Sequence, residues 1–379
     1  MELPSMVAAD CMCQTRYALF VLLAILKSVD VADGNNISCK NDRGRDVDWF
    51  ILYKLPKTRK DKRSFTELHG GEMAYYDVNS RSNKWELLSA DIYKKINNPV
   101  YETLRPIYKG QKNVAYVAYN DQPPHNFGGT RGGHTKGVFM ASNGKDGGTV
   151  WLQHSVPRFV DDLKNDYEFP ESGRENGQLF LCISFKLDTV DIIAHHLHVQ
   201  AAHVYQTNYL EWTRIFPYFE LLLLRRYLWN PRYILIHFLY TRTKKRRVFA
   251  MAKPSTLRTD VYTQDLRYKM DDDIVVQSWK NGAGEAQHQF CQRNYSVTDV
   301  MTVSINTKGG RVYFSSREDH SKWYVTRKKA LFCFSSLNRM RTVAHDHIAK
   351  GTTPFDESFD EPRPASHVKS ILFLCSKWT

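Results

Sequence analysis

What is missing narrows the field first. The 379 residues hold no Cys-x-x-Cys, no His-Glu-x-x-His and no glycine-rich phosphate loop of the Walker type. Zinc fingers, zincins and P-loop nucleotidases therefore lack their ligand patterns here. No short-period repeat runs through the chain, which removes solenoids and propellers. Acidic residues are in deficit, 40 against 53 Lys+Arg for a formal charge of +13, a balance that favours encounter with phosphate backbones. Long membrane-spanning runs are absent as well. Residues 17–26, preceded by Arg16, form an apolar core of signal-peptide length, too short for a comfortable span. Residues 219–253 are apolar but interrupted by Arg225, Arg226, Asn230, Pro231 and Arg232, charges a membrane helix would have to bury. Residues 1–32 are expected to be a removed signal peptide, with no membrane association afterwards.

What is present is a repeated chemical idea. His134-Thr135-Lys136-Gly137-Val138 and His320-Ser321-Lys322-Trp323 each set a histidine and a lysine two residues apart ahead of an apolar segment. On a strand that spacing puts both side chains on one face. A single copy is ordinary on a solvated strand edge. Two facing copies would surround one small anion with two imidazoles and two ammonium groups. Such a group can cleave a phosphodiester without metal, one imidazole attacking and the other protonating the leaving oxygen.

Periodicity reads as a mixed chain. β-prone runs at residues 114–119, 150–152, 179–185 and 300–305 alternate with polar loops and a helical pattern at residues 89–96. Two α/β portions are expected, 33–210 and 255–350, each bringing one His-Lys pair to a shared cleft, with 211–254 an atypical insertion and 351–379 a divergent tail.

Longer blocks carry a resemblance. Ile37-Ser38-Cys39-Lys40-Asn41, Val47-Asp48-Trp49-Phe50, Gly133-His134-Thr135-Lys136, Trp151-Leu152-Gln153-His154-Ser155, Gly177-Gln178-Leu179-Phe180, Trp279-Lys280-Asn281-Gly282, Arg317-Glu318-Asp319-His320-Ser321-Lys322-Trp323 and Leu337-Asn338-Arg339-Met340 lie in order over most of residues 37–342. This series resembles the deoxyribonuclease II family, acid endonucleases related to the phospholipase D superfamily.

The resemblance implies an α/β, phospholipase D-like fold: two pseudo-symmetric halves, each a central mixed sheet flanked by helices, with the active site at their interface. It implies His134 and Lys136 in one half-site and His320 and Lys322 in the other, completed by His154 and Asn338. It also implies an acid optimum, a phosphohistidine intermediate and 3′-phosphate products from DNA, with no cofactor and no metal. Which imidazole attacks stays open. A Cys39–Cys182 bridge is implied too, while Cys291 and Cys333 resemble cysteines that bridge into the tail, where Cys375 alone is left for both. Ser142 departs from the family, which often has an acidic residue after the first motif, so His134 is expected to be supported differently.

Asn36-Ile37-Ser38 and Asn294-Tyr295-Ser296 are glycosylation sequons suited to a secreted or lysosomal protein. A monomer carrying both half-sites is the expected state. Two rivals are weighed. A metal-dependent nuclease would use His195, His196, His198 and His203 or Asp271-Asp272-Asp273, neither of which has a definable ligand geometry. A catalytically weakened secreted member would bind DNA or a host partner without cutting, but it has no evident need for two intact His-Lys pairs. The basic runs 57–63 and 241–247 are read as solvated loops before DNA contacts.

Overall fold

A computed structural model describes residues 37–58, 65–81, 84–125, 132–228, 231–257, 260–281, 285–286, 289–292, 295–329, 331–341 and 371–376. The expected signal peptide and both sequons' asparagines, Asn36 and Asn294, lie outside the described residues.

The chain is a mixed α/β protein with several sheets and few helices. Its first large sheet has eight strands: β1 Trp49–Lys54, β2 Glu72–Asp77, β3 Glu86–Asp91, β4 Val114–Asn120, β5 Lys136–Ser142, β6 Gly148–His154, β7 Gln178–Phe185 and β8 Val204–Asn208, in the order β8-β4-β5-β6-β7-β1-β2-β3. The central strands are apolar on both faces because both are covered. Their side chains alternate: Trp49, Ile51 and Tyr53 enter one core, Phe50 and Leu52 another. Every described pairing in this sheet is antiparallel, so it is not the mixed sheet expected from the sequence.

The second eight-stranded sheet comprises β9 Leu235–Tyr240, β10 Arg247–Lys253, β11 Ile274–Gln277, β12 Phe290–Gln292, β13 Tyr295–Asp299, β14 Trp323–Thr326, β15 Phe332–Ser335 and β16 Ile371–Ser376, in the order β9-β10-β16-β15-β14-β11-β13-β12. It is mixed through the parallel β11–β13 pair. Its inner face, with Val248, Ala250, Ala252 and Phe334, shares a core with the first sheet and with helix α2, Val190–Val199. Its outer face, with Met251, Ile274, Val276 and Tyr324, packs against residues 261–270.

The stretch read as an insertion supplies β9 and β10, and the tail supplies β16 between β10 and β15. The turn joining β9 to β10 is pinned by buried Asp48, which accepts from Thr241 Oγ1 at 2.8 Å and Thr243 N at 2.9 Å and from the Lys244 amide. The basic run 241–247 is therefore a hairpin turn seated on the first sheet.

One helix expectation is displaced. Ser89 lies in β3, and the helix starts later, as α1 Pro99–Tyr108. Asn98 caps it, accepting from Val100 N at 3.0 Å, and Pro99 stands in its first turn.

Cys39 and Cys182 form a disulfide. Cys333 is disulfide-bonded, and Cys375 is its partner in strand register. Cys291 is free and exposed.

Candidate active site

Strand register builds the first half-site. Asn120 pairs with Lys136 across β4 and β5, so the next residue, Asp121, arrives beside the lysine. The fully buried Asp121 carboxylate forms a salt bridge with Lys136 and lies 3.9 Å from His134 Nε2. Asn120 holds this corner by donating to Val156 O at 3.2 Å and Phe159 O at 2.7 Å, which also ties down the chain after His154. Strand β5 begins only at Lys136. His134 precedes it, which corrects the expectation of a histidine within the strand. The loop turns there, through Thr135 N donating to Gly133 O at 2.9 Å, before pairing starts.

The second half-site is also a loop ahead of a strand, because β14 begins at Trp323. Ser315 and Glu318 form a capping box around the short helical turn Ser316–Glu318. Asp319 follows, buried, and accepts hydrogen bonds from Tyr53 Oη, Ser321 Oγ and Ser321 N. His320 N donates to Gly177 O at 2.9 Å. A Cβ at Gly177 would lie 2.8 Å from Asp319 Oδ1, so this approach requires glycine. Lys322 Nζ donates to His320 O at 2.6 Å and lies 3.3 Å from His320 Nε2. The Trp279 ring meets the imidazole edge-on, with centroids 5.0 Å apart.

The two half-sites orient each other. His320 Nδ1 is 3.0 Å from the Ser155 carbonyl oxygen, next to His154 of the first sheet. His134 Nδ1 contacts the Ser336 carbonyl oxygen, just past β15 of the second. A carbonyl only accepts, so a protonated Nδ1 on each ring would satisfy these contacts and turn Nε2 toward the pocket; Lys322 Nζ lies 3.2 Å from His320 Nδ1 and 3.3 Å from its Nε2.

Burial sets the charge states. His320 is held well below the ordinary histidine value by desolvation, then by Lys322, Lys136 and His134. Desolvation and Lys136 push His154 down to about 3. His154 Nδ1 accepts from Val156 N at 3.2 Å, so its proton sits on Nε2, which is buried without a protein partner among the described residues. Desolvation raises Asp319.

His134, Lys136, His154 and Lys322 line one small pocket together with Thr135, Ser155, Ser335 and Ser336. His320 flanks it through Ser155 and Lys322. Asn338 follows β15, and its buried Oδ1 has no protein partner among the described residues. Three of the four histidines of the rival metal reading have other contacts. His195 stacks on Tyr218 at 4.1 Å, His196 Nε2 meets His237 Nδ1 at 3.0 Å, and His198 Nε2 donates to Tyr218 O at 2.9 Å. Of the acidic triplet, Asp272 accepts from the Lys328 and Lys329 amides and Asp273 from Ser296. The sequence reading gave no role to Asp121, Tyr53, Gly177 or the two carbonyls, although Gly177 opens one of the blocks that carry the resemblance. Asp121 had a local signal too, a carboxylate directly after a buried apolar strand.

The family model for deoxyribonuclease II matches residues 38–351. Plancitoxin-1 of Acanthaster planci is 32% identical over 332 residues, covering 84% of this chain and 88% of the relative. Deoxyribonuclease-2-alpha of Sus scrofa is 29% identical over 334 residues, 86% and 87% of the two chains. Cell-death-related nuclease 7 of Caenorhabditis elegans is 29% identical, at 84% and 83% coverage.

Proposed function

The chain belongs to the deoxyribonuclease II family, and we propose that it is an endodeoxyribonuclease that cleaves DNA at acidic pH without a metal, through a phosphohistidine, leaving 3′-phosphate ends. The observation that carries this reading is the reciprocal contact: each motif histidine sets its Nδ1 against a carbonyl oxygen beside the other half-site. A proton on each Nδ1 presents both Nε2 atoms as one acid–base pair.

In the first step one imidazole attacks phosphorus while the other gives its proton to the departing 5′ oxygen. In the second, the now neutral partner takes a proton from water, which displaces the phosphoryl group from nitrogen. Lys136 and Lys322 offset charge on the non-bridging oxygens, and the neutral ring of His154, which lines the same pocket, supplies an Nε2–H as an added donor. Asn338 is assigned to the same anion-holding set by its place after β15, with its amide N–H group as the donor.

The secretory route suits the Cys39–Cys182 disulfide, with export or lysosomal delivery as the destination. Both half-sites belong to one chain, so a monomer is a complete unit. Among the described residues no helix is long and apolar enough to cross a membrane.

The test is cleavage of duplex DNA by the glycosylated protein in excess EDTA at mildly acidic pH. Activity should persist, and His134→Ala and His320→Ala should each abolish it while keeping DNA binding. Loss with chelator and recovery with Zn²⁺ or Mg²⁺, or near-normal turnover by either variant, would overturn the reading.

A further inference from the structure

We propose that the outer face of the β9–β10 hairpin is a second nucleic-acid site, remote from the two half-sites, which holds an unpaired strand. The bases stack on Phe238, Tyr240 and Phe249, and the phosphates meet the basic turn Lys244–Arg247. The site binds polymer and carries out no chemistry of its own.

Register builds the platform. In the antiparallel pairing of β9 with β10, Phe238 stands opposite Phe249 and Tyr240 opposite Arg247. Side chains alternate along each strand, so these four share one face. Met251, two residues after Phe249, identifies it as the outer face of the second sheet, which residues 261–270 cover farther in. At the hairpin that cover ends, and β9 is the sheet's edge strand. Phe238 is 55% exposed and Tyr240 54%. The Phe238 and Phe249 ring centroids are 5.6 Å apart, and the Arg247 guanidinium lies 4.9 Å from the Phe238 centroid. A single exposed aromatic is ordinary, but a contiguous row beside an arginine is a recognition surface.

Charge selects the occupant. Lys244, Lys245, Arg246 and Arg247 are consecutive and all exposed. The carboxylate beneath them, Asp48, is buried and spent on Thr241 Oγ1 and the amides of Thr243 and Lys244. Four cations beside three aromatic rings fit a polyanion that has bare π faces, which describes an unpaired nucleic-acid strand. A duplex hides its base faces and can use the cations alone. The turn sits at the Trp49 end of β1, through Asp48. Gly177, whose carbonyl holds His320, lies past the Lys54 end, so roughly 20 Å of strand separates this face from the chemistry. A strand held here raises the local concentration of the rest of the same polymer at the half-sites.

Anisotropy of a fluorescein-labelled oligothymidylate about twenty nucleotides long, and of a duplex of equal length, tests both parts of the site in the His134→Ala protein. Adding Phe238→Ala and Tyr240→Ala should weaken the oligothymidylate about tenfold or more and leave the duplex within about twofold. Adding Lys244→Ser, Lys245→Ser and Arg246→Ser should weaken both and lower the salt slope for the oligothymidylate by about two, at about 0.7 per lost phosphate contact. With His134 restored, either set should raise KM for heat-denatured DNA about five- to tenfold and leave kcat unchanged. Turnover of thymidine 3′-(4-nitrophenyl phosphate), which engages the half-sites alone, should not move. A 5-iododeoxyuridine oligonucleotide irradiated with the His134→Ala protein should crosslink to Phe238, Tyr240 or Phe249, an observable that needs no change to this face. Unchanged oligothymidylate affinity in the aromatic variant, or crosslinks confined to the half-sites, would overturn the proposal. So would an aromatic variant that loses phosphatidylserine vesicles but keeps oligothymidylate, or a dimer that Phe238→Ala dissociates, because the face would then serve a membrane or a second copy. A wild type that binds oligothymidylate through this face without cutting DNA would end the nuclease reading and leave this site standing.

Discussion

His154 is a residue whose chemistry and packing can be separated by one substitution. Its ring lies among Phe159 and Phe180, with centroids 5.2 and 5.8 Å away, while its buried Nε2 has no protein partner among the described residues. Phenylalanine fits that shape and removes the unpartnered Nε2, but it leaves the buried Val156 N–H without its acceptor, so His154→Phe should lose only about 1–3 kcal/mol of stability. If Nε2 holds a phosphate oxygen, kcat/KM on DNA should fall about 10²- to 10³-fold. A large drop in Tm, or unchanged kinetics, would remove His154 from the site. Tyr53→Phe tests the support of His320. The Tyr53 hydroxyl bonds to Asp319, whose carboxyl burial already raises. Removing that bond raises it further, so the folded state favours the protonated carboxyl over a wider range above pH 3.8. The lost stability should be small in acid and grow as pH rises through that window, reaching about 1–3 kcal/mol near neutrality. Melting curves of both proteins across pH will check the sign.

At the scale of elements, the notable fact is what completes the second sheet. β16 from the tail pairs with β10 on one side and β15 on the other, and β15 leads directly to Ser336 and Asn338. Cys333 is bonded and stands in register with Cys375, and Cys291 is free and exposed. Non-reducing peptide mapping should therefore recover Cys39–Cys182 and Cys333–Cys375, with Cys291 the thiol that alkylates without reduction. A Cys291–Cys375 peptide would mean that β16 is not seated against β15. The segment that delivers the Ser336 carbonyl to His134 would then lose its neighbour.

For the whole molecule, buried neutral histidines set the response to acid. His154 is lowered to about 3 and His198 to about 4, and burial also holds His196 and His320 well below 6.5. As pH falls below about 6.5 the unfolded chain takes up protons that the folded chain refuses. Each such histidine then removes up to about 1.4 kcal/mol of stability per pH unit until its folded value is reached. The raised Asp319 and Asp191 work in the opposite direction but are two carboxyls against four histidines. Tm should thus decline from pH 7 to pH 4.5. Bound oligonucleotide should offset part of that decline, because a phosphate favours the protonated form of the acid histidine. A Tm that rises steadily with acidity would mean that these rings are not buried neutral.

The sequence by itself determined the chemistry that is available: two His-Lys pairs, a positive balance, and apolar runs at 114–119 and 179–185 that became β4 and β7. Side-chain spacing and hydrophobic alternation are local properties, so they survive being read one residue at a time. It did not determine that 235–253 and 371–376 complete a sheet, since a strand's partner is chosen by register with distant strands. Nor did it reveal Asp121. The departure at Ser142 said only that His134 needed other support. It took the antiparallel register of β4 on β5, pairing Asn120 with Lys136, to bring a carboxylate there from across the hairpin. The carbonyls of Ser155 and Ser336 are backbone atoms that no motif names. They orient the two imidazoles only because the two sheets pack face to face over one core.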